Sequence, residues 1–134
     1  MLDSLLVAGN RVEQLLHFSV EGVHIEQLGS GNQPWDQKVA QAVAIACSQI
    51  VMPPADRYAW YAVHLRWFVQ PRAYRRDLDN LRLKPILDRL TALGFWPDAK
   101  MEYVRAIYNE AVLIGAGGHE QVEVRVYGVL LSES

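Results

Sequence analysis

The apolar patterns along these 134 residues predict a single α+β domain, with a mixed or antiparallel sheet and two main helices in the order β-α-β-α-β-β. Three observations predict it. From Tyr58 to Val69, Tyr61, Val63, Leu65, Trp67 and Val69 alternate with Trp60, Ala62, His64, Arg66 and Phe68, the period of a strand with one core face. From Gln121 to Val129, Val122, Val124 and Val126 alternate with Glu123, Arg125 and Tyr127. Two other stretches place apolar residues at helical spacing: Val39, Ala42, Val43, Ala46 and Ile50 in one, Leu83, Ile86, Leu87 and Leu90 in the other.

In chain order, residues 13–20 are the first strand, and Val23 to Leu28 its continuation or a hairpin partner across Glu21-Gly22. Gly29-Ser30-Gly31-Asn32 is a loop by composition. Gln33-Pro34-Trp35-Asp36 opens a helix that runs to about residue 50, because proline is tolerated in a first turn and Pro53-Pro54 stops the pattern. After the long strand ending at Val69, Leu81 to Leu93 is a helix, with Asp79 or Asn80 as N-cap and Gly94 as its stop. Pro85 interrupts it. Either the helix kinks there, or it starts near Pro85 and residues 79–84 form a looser turn. Met101 to Tyr108 and Gln121 to Val129 are the last strands, joined through Gly115-Ala116-Gly117-Gly118. The domain is expected to fill residues 1–134, with its core at about 13–129.

Half of the residues are hydrophobic, enough for a core without staples. No apolar run reaches the ~18 residues of a membrane span, and the first ten residues carry Asp3 and no basic region, so a cytoplasmic protein is expected. The single Cys47 ends the apolar run from Val43 and reads as a packed side chain; it has no partner for an internal disulfide. The net charge of −2 conceals a pattern. Arg66, Arg72, Arg75, Arg76, Arg82, Lys84 and Arg89 oppose only Asp77, Asp79 and Asp88 between residues 66 and 89, while both flanks are acidic. That is a mildly acidic body with one local anion-attracting site, unlike a protein that coats DNA through general basicity.

The positive segment surrounds Arg75-Arg76-Asp77-Leu78-Asp79-Asn80-Leu81. Asp77 and Asp79, two residues apart, point the same way in an extended chain. Asp98 can join them if the chain after Gly94-Phe95-Trp96-Pro97 folds back. Two or three carboxylates can hold a hard divalent cation against a phosphate, where it polarises the phosphoryl oxygen and activates water. Arg72, Arg75, Arg76 and Arg82 are the candidate phosphate contacts; the alternative is a solvated rim balancing the acids. An Asp-x-Asp at a helix start is equally capping chemistry. Lys84 can reach a scissile phosphate or simply pair with Asp88 one turn on.

With Lys84, Asp88, Gly94-Phe95-Trp96 and Asp98, this segment resembles the RusA family of Holliday junction resolvases, most strongly over residues 75–98. The resemblance implies a homodimer that binds four-way DNA junctions in recombination and repair and cuts symmetric strands as a Mg²⁺- or Mn²⁺-dependent endonuclease. It assigns Asp77, Asp79 and Asp98 to the metal, Lys84 to the active site, and Asn80 with the arginines to DNA. Two departures stand out. Lys84 is four residues after Asn80 where the family usually has three. Pro97-Asp98-Ala99 supplies one acid where the family usually has two: either Asp98 takes the first position and Ala99 stands in the second, or a one-residue deletion before Asp98 puts it in the second position and keeps Met101 and Val104 at apolar positions.

Two other functions fit the same residues: a junction-binding protein without catalysis, and an interaction module that does not bind nucleic acid. His17, His24, His64 and His119 have no metal-ligand spacing. Trp60, Trp67 and Trp96 read as core, whereas Trp35 is either core or a stacking platform for a base or a dimer partner.

Overall fold

The chain's computed structural model describes residues 11–21, 33–51, 57–71, 83–97, 102–115 and 117–130. Six elements follow in order: β1 (Arg11–Glu21), α1 (Gln33–Ser48), β2 (Trp60–Val69), α2 (Lys84–Ala92), β3 (Val104–Leu113) and β4 (Gln121–Leu130). They form the α+β architecture the sequence predicts. The four strands make one mixed sheet in the order β1-β4-β2-β3. β4 lies antiparallel to both β1 and β2, while β2 and β3 are parallel. The proposed strand or hairpin at 23–28 lies outside the described residues.

The alternation in β2 and β4 works as read. Tyr61, Val63, Leu65, Trp67 and Val69 are buried with Val122, Val124 and Val126, and Leu16, Phe18 and Val20 of β1 join them. Both helices pack on this face, through Trp35, Val39 and Val43 of α1 and Ile86 and Leu90 of α2. Trp35 is 1% exposed, with its ring 6.2 Å from that of Trp67. It therefore has no free face for a base or a dimer partner. Cys47 is half-buried against the same core, and burial pushes its thiol pKa up. On the other face Trp60, Ala62, Tyr127 and Val129 form a small second cluster, with the Arg105 guanidinium 5.7 Å from the Trp60 ring centre.

Two boundaries differ from the sequence reading. The third strand is Val104–Leu113 rather than Met101–Tyr108. Glu102 and Tyr103 make a turn, the Tyr103 carbonyl accepts the Tyr61 N–H, and pairing with β2 then continues to Leu113 opposite Val69. β2 offers backbone partners along its whole length, so β3 extends as far as they do. The second helix begins at Lys84, not Leu81, and Leu83 is its cap residue without a side-chain bond. Asp79 and Asn80 are thus not its N-cap. Pro85 sits in the first turn, where the missing N–H has no intrahelical acceptor to lose, so it starts the helix instead of kinking it. Gly94 ends it as predicted: its φ of +93° suits glycine, and the Leu93, Gly94 and Phe95 N–H groups close the last turn onto Arg89, Thr91 and Leu90 carbonyls.

Candidate functional site

Of the predicted site residues, only Lys84 is among those described. Asp77, Asp79, Asp98, Arg72, Arg75, Arg76, Asn80 and Arg82 lie outside them. The structure does show the framework from which these segments start and to which they return.

The chain enters the Arg-Asp segment from the C-terminal end of β2, the strand flanked by β4 and β3. That end is tied down. The Gln70 N–H donates to Glu120 Oε2 at 3.0 Å, and Gln70 Nε2 donates to the Gly118 carbonyl at 2.8 Å. The Ile114 N–H donates to the Val69 carbonyl, and Trp67 Nε1 donates to Asn109 Oδ1 at 2.9 Å. Glu120 is the one buried charged residue among those described. Its clamp on Gln70, one residue before Pro71, was missed from sequence. A lone Glu after Gly117-Gly118-His119 carries no signal of what its carboxylate will meet.

The chain returns through α2 and the aromatic corner. Thr91 Oγ1 donates to the Leu87 carbonyl at 2.8 Å and accepts the Trp96 indole N–H at 2.6 Å. Phe95 and Trp96 are fully buried, and Trp96 packs edge-on to Tyr61 with centroids 5.3 Å apart. Asp98 follows Trp96 by two residues, so the corner that delivers it is anchored near the N-terminal end of β2. The two candidate acid segments therefore leave the framework from opposite ends of that strand. Ten strand residues span about 33 Å, and the eight steps from Pro71 to Asp79 reach at most about 29 Å. From the other side, Asp79 is five steps from Lys84, or at most about 18 Å. With the reach of the side chains and of Asp98 itself added, chain length permits the acid segments to meet.

Lys84 begins α2. Its Nζ lies 2.7 Å from Asp88 Oδ2, with the two side chains 81% and 56% exposed. This is the i,i+4 pair that the sequence offered as the plainer reading. An exposed pair of this kind is worth little. Lys84, Pro85, Asp88, Arg89 and Ala92 line a cleft of about 330 Å³ with Asp36. It adjoins a wider cleft of about 680 Å³, where Arg89 of α2 meets Asp36, Gln37, Ala40 and Gln41 of α1. Among the described residues, no group of three or more His, Cys, Asp or Glu side chains can hold a metal ion.

A second polar array lies on the sheet face away from the helices. Arg66 Nε donates to Glu110 Oε1 at 2.8 Å, and Arg125 Nη2 lies 3.0 Å from Glu123 Oε1. His64 Nε2 is 3.4 Å from Glu110, and His17 Nε2 is 3.7 Å from Glu123. Burial lowers the His64 pKa, outweighing the Glu110 carboxylate beside it. With Arg66 Nη1 3.9 Å from Glu123, the row His17, Glu123, Arg66, Glu110 crosses all four strands. These residues are scattered in sequence and meet only through strand register.

No helix among the described residues is long and apolar enough to cross a membrane. No protein-family model matches the chain. No curated protein matches it either. Among solved structures, it is similar to the hydrogenase maturation protein HypE in complex with ATP, at 12% identity over 90% of this chain and a TM-score of 0.40. The chain spans about a third (31%) of that protein's length, and a likeness of this size carries no argument about function.

Proposed function

We propose that this chain is a Mg²⁺-dependent, structure-selective endonuclease of the RusA type that cuts four-way DNA junctions as a homodimer. The observation that carries the reading is the sequence Arg75-Arg76-Asp77-Leu78-Asp79-Asn80, followed by Lys84 and by Asp98 after a Gly-Phe-Trp corner. The framework supports it in two ways. The segment is suspended between the clamped end of β2 and the start of α2, so its backbone has fixed ends. The corner before Asp98 is held by the buried Trp96. In this reading Asp77, Asp79 and Asp98 hold the cation, which supplies Lewis acidity at the phosphate. Arg72, Arg75, Arg76, Asn80 and Arg82 hold the DNA backbone, and Lys84 leaves Asp88 to meet the phosphate at the cut.

One observation favours a second reading, a junction-binding protein without catalysis. Lys84 is displaced by one residue from the family spacing, and its ammonium is bonded to Asp88. A synthetic four-way junction given to the purified chain with Mg²⁺ separates the two. Paired cuts in symmetric strands support the endonuclease. A salt-sensitive gel shift without cutting supports the second reading. No shift at low salt removes both and leaves an interaction module that does not bind nucleic acid.

A further inference from the structure

We infer that β3 is the surface through which two copies of this chain join, by antiparallel pairing of β3 with its own copy about a two-fold axis centred on Asn109. This deepens the homodimer of the reading above, but it rests on strand order, exposure and side-chain pattern and stands without any nuclease activity.

Among the described residues, β1 and β3 are the two outer strands of the sheet. Exposed strand edges template pairing with another chain unless charges, bulges or prolines blunt them. β1 is blunted: a register shift between Gln14 and Leu16 breaks it in the middle, and Arg11, Glu13 and Glu21 are spread along it. β3 is not. Its irregularity is confined to Arg105 at the start, and Ala106 to Leu113 runs in unbroken register on β2, with Glu110 its one charge and no proline. Ile107 and Leu113 are 40% and 54% exposed, although they share the face that elsewhere carries the core.

The backbone phase is set by the Ile114 N–H bond to the Val69 carbonyl. Backbone groups alternate along a strand, so Ile107, Asn109, Ala111 and Leu113 turn their N–H and C=O groups away from β2.

The side chains select a second copy over an unrelated strand. When β3 is paired antiparallel with itself around Asn109, Ile107 falls opposite Ala111 and Ala106 opposite Val112, each large side chain against a smaller one. Tyr108 falls opposite Glu110 of the partner copy, a hydroxyl donor against a carboxylate, and the two-fold repeats each pair. A strand pair alone is smaller than most stable interfaces, so association is expected in the micromolar range.

Sedimentation of the full chain from about 1 to 200 µM, without DNA, tests this; that range brackets a micromolar equilibrium. A reversible monomer–dimer equilibrium is expected. Ala111→Pro removes an outward N–H that β2 does not use, and Ile107→Lys adds a charge to the edge. Each should weaken the dimer at least about tenfold while the far-ultraviolet spectrum and melting temperature stay near wild type. In a Cys47→Ser background, Ile107→Cys and Ala111→Cys chains should form disulfides when mixed and far less when alone. Opposed Cα atoms in this register lie about 5.5 Å apart, within disulfide reach. A monomer at every concentration, a dimer indifferent to both edge variants, or open-ended polymers would overturn the assignment, whatever the junction assay shows.

Discussion

Gly128→Ala is a sharp test of how the framework is packed. A Cβ built at Gly128 on β4 lies 2.5 Å from Tyr58 Cδ1, 2.6 Å from Cγ and 2.7 Å from Cε1. Carbon atoms rest at about 3.5–4.0 Å, so the ring must retreat by roughly 1 Å. Its surroundings resist. The Ala59 N–H is bonded to the Val129 carbonyl, which pins the adjacent backbone. The Tyr58 hydroxyl donates to Glu13 Oε2 at 2.7 Å, and its ring stands edge-on to Tyr61 at 5.7 Å. Tyr61 in turn packs against Trp96, so the disturbance points toward the corner that delivers Asp98. Overpacking of a filled site costs about 1–3 kcal/mol, and three overlapping ring atoms place this one in the upper part, about 2–3 kcal/mol. Urea unfolding followed by tryptophan fluorescence measures it, and the midpoint should fall with an unchanged slope. In a Tyr58→Ala background the same substitution should cost less than about 0.5 kcal/mol, because the colliding ring is gone. A Gly128→Ala protein as stable as wild type would refute the packing argument.

Three further outcomes are expected. Glu120→Ala leaves the half-buried Gln70 N–H without this acceptor and should lower stability by about 1–2 kcal/mol in urea unfolding, whereas Glu120→Gln keeps an acceptor oxygen and should lose less. Lys84→Ala should change stability by no more than about 0.5 kcal/mol, since its pair with Asp88 is exposed; if it abolishes junction cutting at the same time, the lysine acts on DNA rather than on the fold. His64 is held neutral by burial, with a folded pKa below the ordinary 6.5. The unfolded chain therefore takes up a proton that the folded one refuses. Stability from this group is present above pH 6.5 and is lost as the pH falls through the lowered folded value. Urea midpoints should drop between pH 7.5 and 5, and His64→Gln should flatten that slope; an identical slope in the variant would exclude His64 as its source.

Sequence legibility followed the number of neighbours an element has. β2 and β4 are flanked on both sides and covered by helices, so their buried residues recur at every second position and were read correctly. β3 has β2 on one side and half its residues exposed, and its start at Val104 depends on the Tyr61–Tyr103 backbone bond, which no local pattern encodes. For α2, Pro85 carried both answers. A kinked helix and a helix beginning at Pro85 fit the same letters, and the first-turn position resolved it. The motif residues were legible as chemistry: carboxylates, arginines and a lysine between Arg72 and Asp98 announce themselves. The Glu120 clamp and the row from His17 to Glu110 were not, because both arise from pairing between strands far apart in sequence.

If the Asp77, Asp79 and Asp98 carboxylates act together on DNA as proposed, removing one of them must slow cutting without releasing the junction. Single-turnover cutting of a four-way junction with Mg²⁺ is compared between wild type and Asp79→Asn, with junction binding measured on the same samples. Loss of a metal-held carboxylate removes several kcal/mol of transition-state stabilisation, so cutting should fall at least about 100-fold while binding persists. Undiminished cutting by Asp79→Asn, or no cutting of the junction by wild type, would exclude this role for the three carboxylates.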